Sequence, residues 1–128
     1  MRTRTVISKV AGVTYENRQE IIQCLTGSEP CRIVPEPTNP YDSNALAVHV
    51  AMADGTVAHV GYIPRDLAAI IAPHLEGEAV MCRLTEITGG FEKGDGTIAS
   101  LGLLIEVEYP DEESDRETPD DFYGDTGA

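Results

Sequence analysis

The sequence predicts a mainly β fold, a small and partly open barrel with two short helices. About six short stretches alternate apolar and polar residues in the way that strands do. Two turn-forming pairs, Asn39-Pro40 and Asp54-Gly55, bracket the clearest of these stretches, and the second pair favours a hairpin. Helical spacing is confined to two short runs, one after Asn17 and one after Pro64. These features together are typical of a small all-β barrel.

The predicted strands follow one another at short intervals. The second of them contains Pro35, which has no N–H to donate, so we expect an edge or bulged strand there. The predicted strand ranges are 5–13, 31–36, 46–52, 57–63, 79–88 and 98–107.

The first predicted helix follows the first strand. Asn17 and Glu20 have the spacing of a capping box, in which each side chain bonds a free backbone amide of the first turn. Ile21, Ile22 and Leu25 then share one face, and the glycine that follows ends the helix. We expect this face to be buried.

The second predicted helix begins at Pro64, a residue that suits the first position of a helix. Leu67, Ile70 and Ile71 form its predicted buried stripe. Pro73 kinks or ends it.

The register of the central hairpin is open from sequence alone. A two-residue loop pairs Met52 with Val57 and puts His49 and His59 on opposite faces. A longer loop or a glycine bulge puts both histidines on one face. Even on one face, two histidines with no third ligand nearby make a poor metal site, and we expect neither a metal nor a cofactor.

Size and composition restrict the class of protein. A chain of 128 residues makes one domain. No apolar run approaches the roughly 20 residues that span a bilayer, so we expect a soluble, cytoplasmic protein with no membrane partner. Cys24, Cys31 and Cys82 are an odd set without C-x-x-C spacing, which favours reduced thiols.

The acidic charge is concentrated near the C-terminus. Of the net charge of -13, the residues from Glu106 onward carry -9 and residues 1–105 carry -4. We expect 1–108 to form the domain and 109–128 an acidic, disordered tail. The tail either competes with phosphates for the domain, with Phe122 and Tyr123 imitating bases, or only keeps the protein soluble.

The loop 37–44 is dense in polar and aromatic side chains. Asn39 is held extended before Pro40 and suits the first position of a turn, whereas the side chains of Asp42, Ser43 and Asn44 can bond nearby amides. Tyr41 can stack on a ligand. For Asn39 and Asn44, building the loop is as good an interpretation as binding. Further along the chain, Tyr62 and Arg65 are candidates for contacting a phosphate, against the alternatives of a core aromatic and a solvated first-turn residue.

Two motifs give a resemblance to a known family. The stretch E-P-T-N-P-Y-D-S-N-A-L-A-V, followed by V-G-Y-I-P-R-D-L-A-A-I-I-A-P, resembles the HIRAN domain over about residues 5–108. The resemblance implies an OB-like barrel that binds single-stranded DNA. It places Tyr41 and Asp42 in the pocket that receives the 3′-OH end, and makes Tyr62 and Arg65 part of the same site.

The resemblance also shows where this chain departs from the family. DNA-binding members tend to carry a basic residue and consecutive aromatics after the first strand, where this chain has Val13-Thr14-Tyr15-Glu16. Tyr15 is kept as a candidate contact. Attraction to DNA must then come from a patch of Arg18, Arg32, Arg65 and Lys93, with modest and strongly salt-dependent affinity.

A glycine-rich loop, residues 89–97, supplies the last candidates. Phe91 can stack a base and Lys93 can contact a phosphate, although the bland alternative, that Phe91 folds back on the sheet, is favoured over stacking. The leading interpretation is a module that binds single-stranded DNA ends in DNA repair or fork processing, with a DNA-processing protein as a second partner. An enzyme is disfavoured because no nucleophile–base pair or dense carboxylate cluster is present. The alternatives are a protein-interaction module that acts through the acidic tail, or a non-catalytic accessory domain.

Overall fold

The computed structural model describes residues 2–77 and 79–110. It contains six strands: β1 (Thr3–Lys9), β2 (Pro30–Pro35), β3 (Leu46–Ala51), β4 (Val57–Tyr62), β5 (Met81–Thr88) and β6 (Gly102–Pro110). The helices are α1 (Arg18–Ile22) and α2 (Arg65–Ile71), and a 3-10 turn (Ala72–His74) follows α2. The predicted mainly β fold with two short helices is confirmed.

The six strands form one antiparallel sheet in the order β1-β6-β5-β2-β3-β4. Beyond the end of β1, Ala11 and Tyr62 of β4 exchange two backbone hydrogen bonds of 2.8 Å each. The sheet therefore curls until its two outer strands meet at one point, which makes the partly open barrel that was predicted. We call this contact the seam.

Gly61 allows the close approach at the seam. A Cβ atom at this position would lie 2.4 Å from the Ala11 carbonyl oxygen and 2.5 Å from a Val10 side-chain carbon. Both distances are far below ordinary van der Waals contact, so a larger residue would force the two outer strands apart.

The core lies inside the curled sheet. Along β6 the side chains alternate, and the buried ones are Leu103, Ile105, Val107 and Tyr109. Ile22 of α1 and Ile71 of α2 are both fully buried. The alternating pattern of the sequence thus has its expected cause, which is the removal of one face of each strand from water.

The predicted stripe of α2 is only partly right. Ile71 is buried and Leu67 is partly buried, but Ile70 is half exposed and Ala68 takes its place against the core. A helix of seven residues presents only two turns, and its buried face here follows the i, i+3 pair of Ala68 and Ile71. The helix ends before Pro73, as predicted, and continues as the 3-10 turn.

The predicted capping box of α1 is wrong. The Asn17 side chain makes no capping bond, and only its carbonyl accepts from the Glu20 and Ile21 amides. Glu20 is exposed, and the helix ends at Ile22 rather than after Leu25. The two residues between Asn17 and Glu20 point inward instead, because tertiary contacts described below hold Arg18 and Gln19.

The prediction of an edge or bulged strand at Pro35 is partly right: β2 lies between β3 and β5, but its Pro35 end is paired to β3 alone. It pairs with β5 only through Pro30 and Cys31. The Glu36 amide donates to the Ala45 carbonyl, so the backbone nitrogen of Pro35 faces away from β3. No pairing to β5 exists at that point, and the missing N–H interrupts nothing.

The hairpin of β3 and β4 has the register that puts both histidines on one face. Ala51 pairs with Val57 and His49 with His59, and the register shifts by a bulge between Val48 and His49. Asp54 fixes the turn, because its carboxylate accepts hydrogen bonds from both the amide and the hydroxyl of Thr56.

Several smaller expectations can be compared with the structure. The last strand was predicted to begin at Ile98, but β6 begins at Gly102. Ile98 forms a backbone bridge with Glu92 in the glycine-rich hairpin. All three cysteines are free, with Cys24 exposed. No helix of the described ranges is long and apolar enough to cross a membrane. β6 runs through Tyr109 and Pro110, and the rest of the acidic tail, with Phe122 and Tyr123, lies outside the described residues.

Candidate nucleic-acid interface

Seven of the nine predicted site residues line one groove, with a volume of about 1170 Å³, beside the seam. Its walls are the segment after β1, the loop between β2 and β3, and the junction of β4 with α2. The seven residues are Tyr15, Asn39, Tyr41, Asp42, Asn44, Tyr62 and Arg65. The other two, Phe91 and Lys93, lie on the glycine-rich hairpin and are not part of this lining.

Asn39 organises the loop wall. Its side-chain oxygen accepts from the amides of Tyr41, at 2.8 Å, and Asp42, at 3.1 Å. Its side-chain nitrogen donates to the Glu36 carboxylate at 3.0 Å and approaches the Tyr62 hydroxyl at 3.4 Å. One amide therefore joins the loop to β4, which is the loop-building role that the sequence left open.

Glu36 is a groove residue that the sequence analysis missed. Its Oε1 accepts from the Tyr62 hydroxyl at 2.9 Å as well as from Asn39. The Asn39 hydrogen bond lowers the pKa of Glu36 below its ordinary value, with help from Tyr62 and against the effect of burial. Burial and the Glu36 carboxylate together raise the pKa of Tyr62. The position of Glu36 at the head of the E-P-T-N-P motif was the available signal.

Arg18 forms the floor of the groove and is almost fully buried. Its Nη1 donates to the Gly12 carbonyl at 2.7 Å, and its Nη2 donates to the Glu16 carboxylate at 3.2 Å. The guanidinium carbon lies 5.3 Å from the centre of the Tyr62 ring, a cation–π contact. Arg18 was expected in a surface patch, but burial gives it a second role in holding the groove together.

The two histidines of the hairpin pack behind Tyr62. Their ring centres are 5.3 Å apart, and the His59 ring meets the Tyr62 ring edge-on at 4.9 Å. Burial, and then the charge of Arg18, lowers the pKa of His59. Across the described part of the chain, no group of three or more His, Cys, Asp or Glu side chains could hold a metal ion.

The outer rim of the groove is exposed. The Tyr41 residue is 92% exposed and Tyr15 is 67% exposed. The Nε of Arg65 lies 3.6 Å from Oδ2 of Asp42, while Oδ1 of Asp42 accepts from the Asn44 amide at 2.9 Å. The Arg65 side chain is 81% exposed, so this pair is weak and leaves the guanidinium accessible.

The charges of the groove are mixed. Three carboxylates line it, those of Glu16, Glu36 and Asp42, together with the guanidinium groups of Arg18 and Arg65. The predicted basic patch is only partly assembled there, since Arg32 and Lys93 are absent from the lining. A phosphate therefore meets individual cations in this groove and no broad positive field.

The glycine-rich hairpin holds Phe91 at its surface. Phe91 is 63% exposed, so the alternative that it folds back on the sheet is wrong. The Gln19 side chain ties the base of this hairpin to the groove segment, because it bonds both the amide and the carbonyl of Leu101 and also the Val13 carbonyl. The hairpin is thus anchored next to the groove without lining it.

Comparisons with known proteins agree with this architecture. The sequence model of the HIRAN domain matches residues 4–90. The putative SWI/SNF-related matrix-associated actin-dependent regulator of chromatin subfamily A member 3-like 1 of Arabidopsis thaliana is 30% identical over 76 residues, which are 59% of this chain. The match spans 8% of that much longer relative.

A solved structure gives the same result for the fold. The crystal structure of the HIRAN domain of human HLTF aligns with a TM-score of 0.50 and 18% identity, over 87% of this chain and 80% of the other. The fold is accordingly the OB-like fold of that domain. Since the family match also extends over more than half of the sequence, the chain belongs to the HIRAN domain family.

Proposed function

We propose that the groove binds the 3′-OH end of single-stranded DNA, and that the protein serves DNA repair or replication-fork processing. One observation carries the proposal: the exposed ring of Tyr41, the Asp42 carboxylate and the Arg65 guanidinium meet at the rim of one groove. Membership of the HIRAN family supports it. The Arabidopsis relative is named as a regulator of chromatin, which is consistent with binding to DNA.

Each rim residue matches one part of a strand end. Tyr41 and Tyr15 present exposed rings on which bases stack whatever their sequence. Asp42 uses one oxygen for the Asn44 amide, and its other oxygen can accept a hydrogen bond from a terminal hydroxyl. Arg65, which is mostly exposed, can contact the adjacent phosphate. Asn39, Asn44 and Tyr62 then hold these groups in place.

The terminal hydroxyl provides the decisive test. Two oligonucleotides of the same sequence, one with a 3′-hydroxyl and one with a 3′-phosphate, are titrated by fluorescence anisotropy. The Asp42 carboxylate repels a phosphate, so the phosphorylated end should bind more weakly by about 1 to 3 kcal/mol. Asp42→Asn should shrink this difference more than it weakens overall binding.

Asp66→Asn is the matched control for Asp42→Asn. Asp66 is exposed in the first turn of α2, lies outside the groove lining and carries the same charge. The Asp66→Asn variant should discriminate between the 3′-hydroxyl and the 3′-phosphate end as the wild-type protein does. Equal affinity of the wild-type protein for both ends would contradict the assignment of Asp42.

Arg65 is tested by the salt dependence of binding. Arg65→Ala should weaken binding about equally for different sequences and lower the slope of affinity against salt by roughly one ion. Arg32→Ala removes the same charge at an exposed position outside the groove lining, and should leave that slope nearly unchanged. If affinity depended on salt with the same slope in Arg65→Ala and in the wild-type protein, Arg65 would be a solvated helix residue that contacts no phosphate.

Phe91 and Lys93 are proposed as a secondary contact. The hairpin that carries them is anchored beside the groove through Gln19 and Leu101, and Phe91 is exposed. Nucleotides further from the strand end could stack on Phe91 and bring a phosphate to Lys93.

We further propose that the protein is a binding module without catalysis of its own, acting in the cytoplasm with a DNA-processing protein as partner. Two of the three groove carboxylates accept hydrogen bonds from the walls, Glu36 from Asn39 and Tyr62, and Asp42 through one oxygen from the Asn44 amide. Free, unbridged cysteines fit a reducing compartment.

A further inference from the structure

Glu16 has an unusual backbone. It is the residue other than glycine with a positive φ, 58°, within the described ranges, a left-handed conformation that residues with a Cβ adopt at a cost. Its side chain is 71% exposed, yet its carboxylate lies 3.2 Å from Nη2 of the buried Arg18. An exposed carboxylate on a left-handed backbone thus contacts a buried cation.

The Arg18 guanidinium is only partly satisfied by these contacts. Its Nη1 bonds the Gly12 carbonyl, and its Nη2 bonds a single oxygen of Glu16. The neighbouring Nε is buried and has no hydrogen-bond partner among the described residues. Nε and Nη2 form one edge of a guanidinium, and this edge can hold two oxygens of a carboxylate or phosphate at once. Glu16 therefore uses half of a two-donor edge of Arg18, a residue that lines the groove.

We infer that Arg18 is a phosphate-binding group of the groove, and that the Glu16 carboxylate occupies the phosphate position until a strand replaces it. The inference rests on the proposed function and adds a second phosphate contact to that of Arg65. A backbone phosphate of the strand pairs with Nη2 and Nε, while Glu16 swings into water. No buried charge is left unpaired during the exchange, because one anion takes the place of another.

The exchange also explains how a groove with mixed charges can accept a polyanion. Glu16 is already mostly exposed, so its release into water moves no buried side chain. Glu16 then acts as a built-in competitor that lowers affinity and disfavours anions unable to use both donors. Glu36 and Asp42 differ from Glu16 in that their carboxylates also accept hydrogen bonds from the loop wall.

The test compares Glu16→Gln with Glu20→Gln. Both variants remove one negative charge from an exposed residue of the same segment, but Glu20 does not line the groove. Glu16→Gln should bind a 3′-hydroxyl single strand about five- to tenfold more tightly at low salt, with a steeper dependence on salt. Glu20→Gln should stay within about twofold of the wild-type protein.

A chemical change in the strand identifies the phosphate. Neutral methylphosphonate groups are placed singly at each of the linkages nearest the 3′ end. One of these linkages should abolish the gain of Glu16→Gln, and the others should leave it intact. As a second readout, the Arg18 Nε–H resonance in NMR spectra should shift when the unmodified strand is added.

The outcomes separate this inference from the proposed function. If the wild-type protein binds the strand and Glu16→Gln gains no more than Glu20→Gln, or if the Arg18 resonance does not move, the exchange is wrong and the end-binding function stands. If only Glu16→Gln binds measurably, the exchange is supported. If neither the wild-type protein nor Glu16→Gln binds any single strand, both proposals fail.

Discussion

Tyr62 and Tyr41 both line the groove, but the structure holds them in different ways. The Tyr62 hydroxyl donates to Glu36 while its ring packs against Arg18 and His59. The Tyr41 side chain stands in water on a loop whose backbone is fixed by Asn39. The groove therefore has an inner wall joined by side-chain contacts and a rim whose side chains are largely exposed to a ligand. Changes in the wall should affect folding and binding together, and changes at the rim should affect binding alone.

The largest effect is expected for Asn39→Ala, at the inner wall. The side chain contacts Glu36, Tyr62, Tyr41 and Asp42, and its loss should lower the free energy of unfolding by about 2 to 3 kcal/mol in a urea titration. Strand binding should fall as well, because the rim loop loses its support.

Asn44→Ala is the control for Asn39→Ala. Its side chain is exposed and its backbone amide, which bonds Asp42, is unchanged by the substitution. It should change stability by less than about 0.5 kcal/mol. If the two variants were equally stable, Asn39 would not be the residue that joins loop and sheet.

The next effect is expected at the rim. Tyr41→Ala should change the free energy of unfolding by less than about 0.5 kcal/mol, because the ring is almost entirely in water. Single-strand binding should weaken by about 1 to 3 kcal/mol for any terminal base. Tyr62→Phe should show the opposite pattern, with a stability loss of about 1 kcal/mol from the broken Glu36 bond and a smaller change in binding. Loss of stability in Tyr41→Ala would remove the distinction between wall and rim.

A smaller effect concerns pH. The pKa of folded Glu36 is lowered, chiefly by the Asn39 hydrogen bond, so its contribution to stability is fully present above the ordinary carboxyl value of about 4.3. That contribution is lost as the pH falls through the folded value. The free energy of unfolding of the wild-type protein should exceed that of Glu36→Gln by about 1 kcal/mol at neutral pH. This difference should disappear in acid.

The pH experiment measures unfolding of both proteins by urea from neutral pH down to about pH 3. His59 also costs stability in acid, because its pKa is lowered and the unfolded state binds its proton more readily. Since His59 is present in both proteins, its effect largely cancels in the difference. A gap that stays constant through the acid range would mean that the Glu36 carboxylate is not held by the wall.

The smallest effect is expected on the glycine-rich hairpin. Phe91→Ala should leave binding of a strand of about four nucleotides unchanged and weaken binding of a strand of about fifteen by at most about 1 kcal/mol. Ile98→Ala is the matched control, because Ile98 is equally exposed on the same hairpin but has no aromatic face. Equal losses in both variants would show that the hairpin acts without base stacking.

Sequence alone determined the fold class and most strand positions, and its motifs supplied nine candidate site residues, of which seven line the groove. These features depend on local patterns: alternation along each strand, the Asp54-Gly55 turn, and two motifs that place the Asn39 loop and Arg65 at the ends of neighbouring strands. Residues that are close in sequence settle the strands and turns by themselves, whereas the grouping of distant site residues rested on the resemblance to the HIRAN domain.

Only the tertiary structure decided which of those residues hold the groove and which face the solvent. The sequence predicts Arg18 as a surface cation and Asn17 with Glu20 as a capping box. The curling of the sheet brings Tyr62, 44 positions away in the chain, over Arg18, while the hydrogen bonds of Gln19 to Leu101 draw the same turn inward. Contacts over such separations form only when the outer strands meet at the seam, and their free energy outweighs the weak preference of a five-residue helix for a capped start.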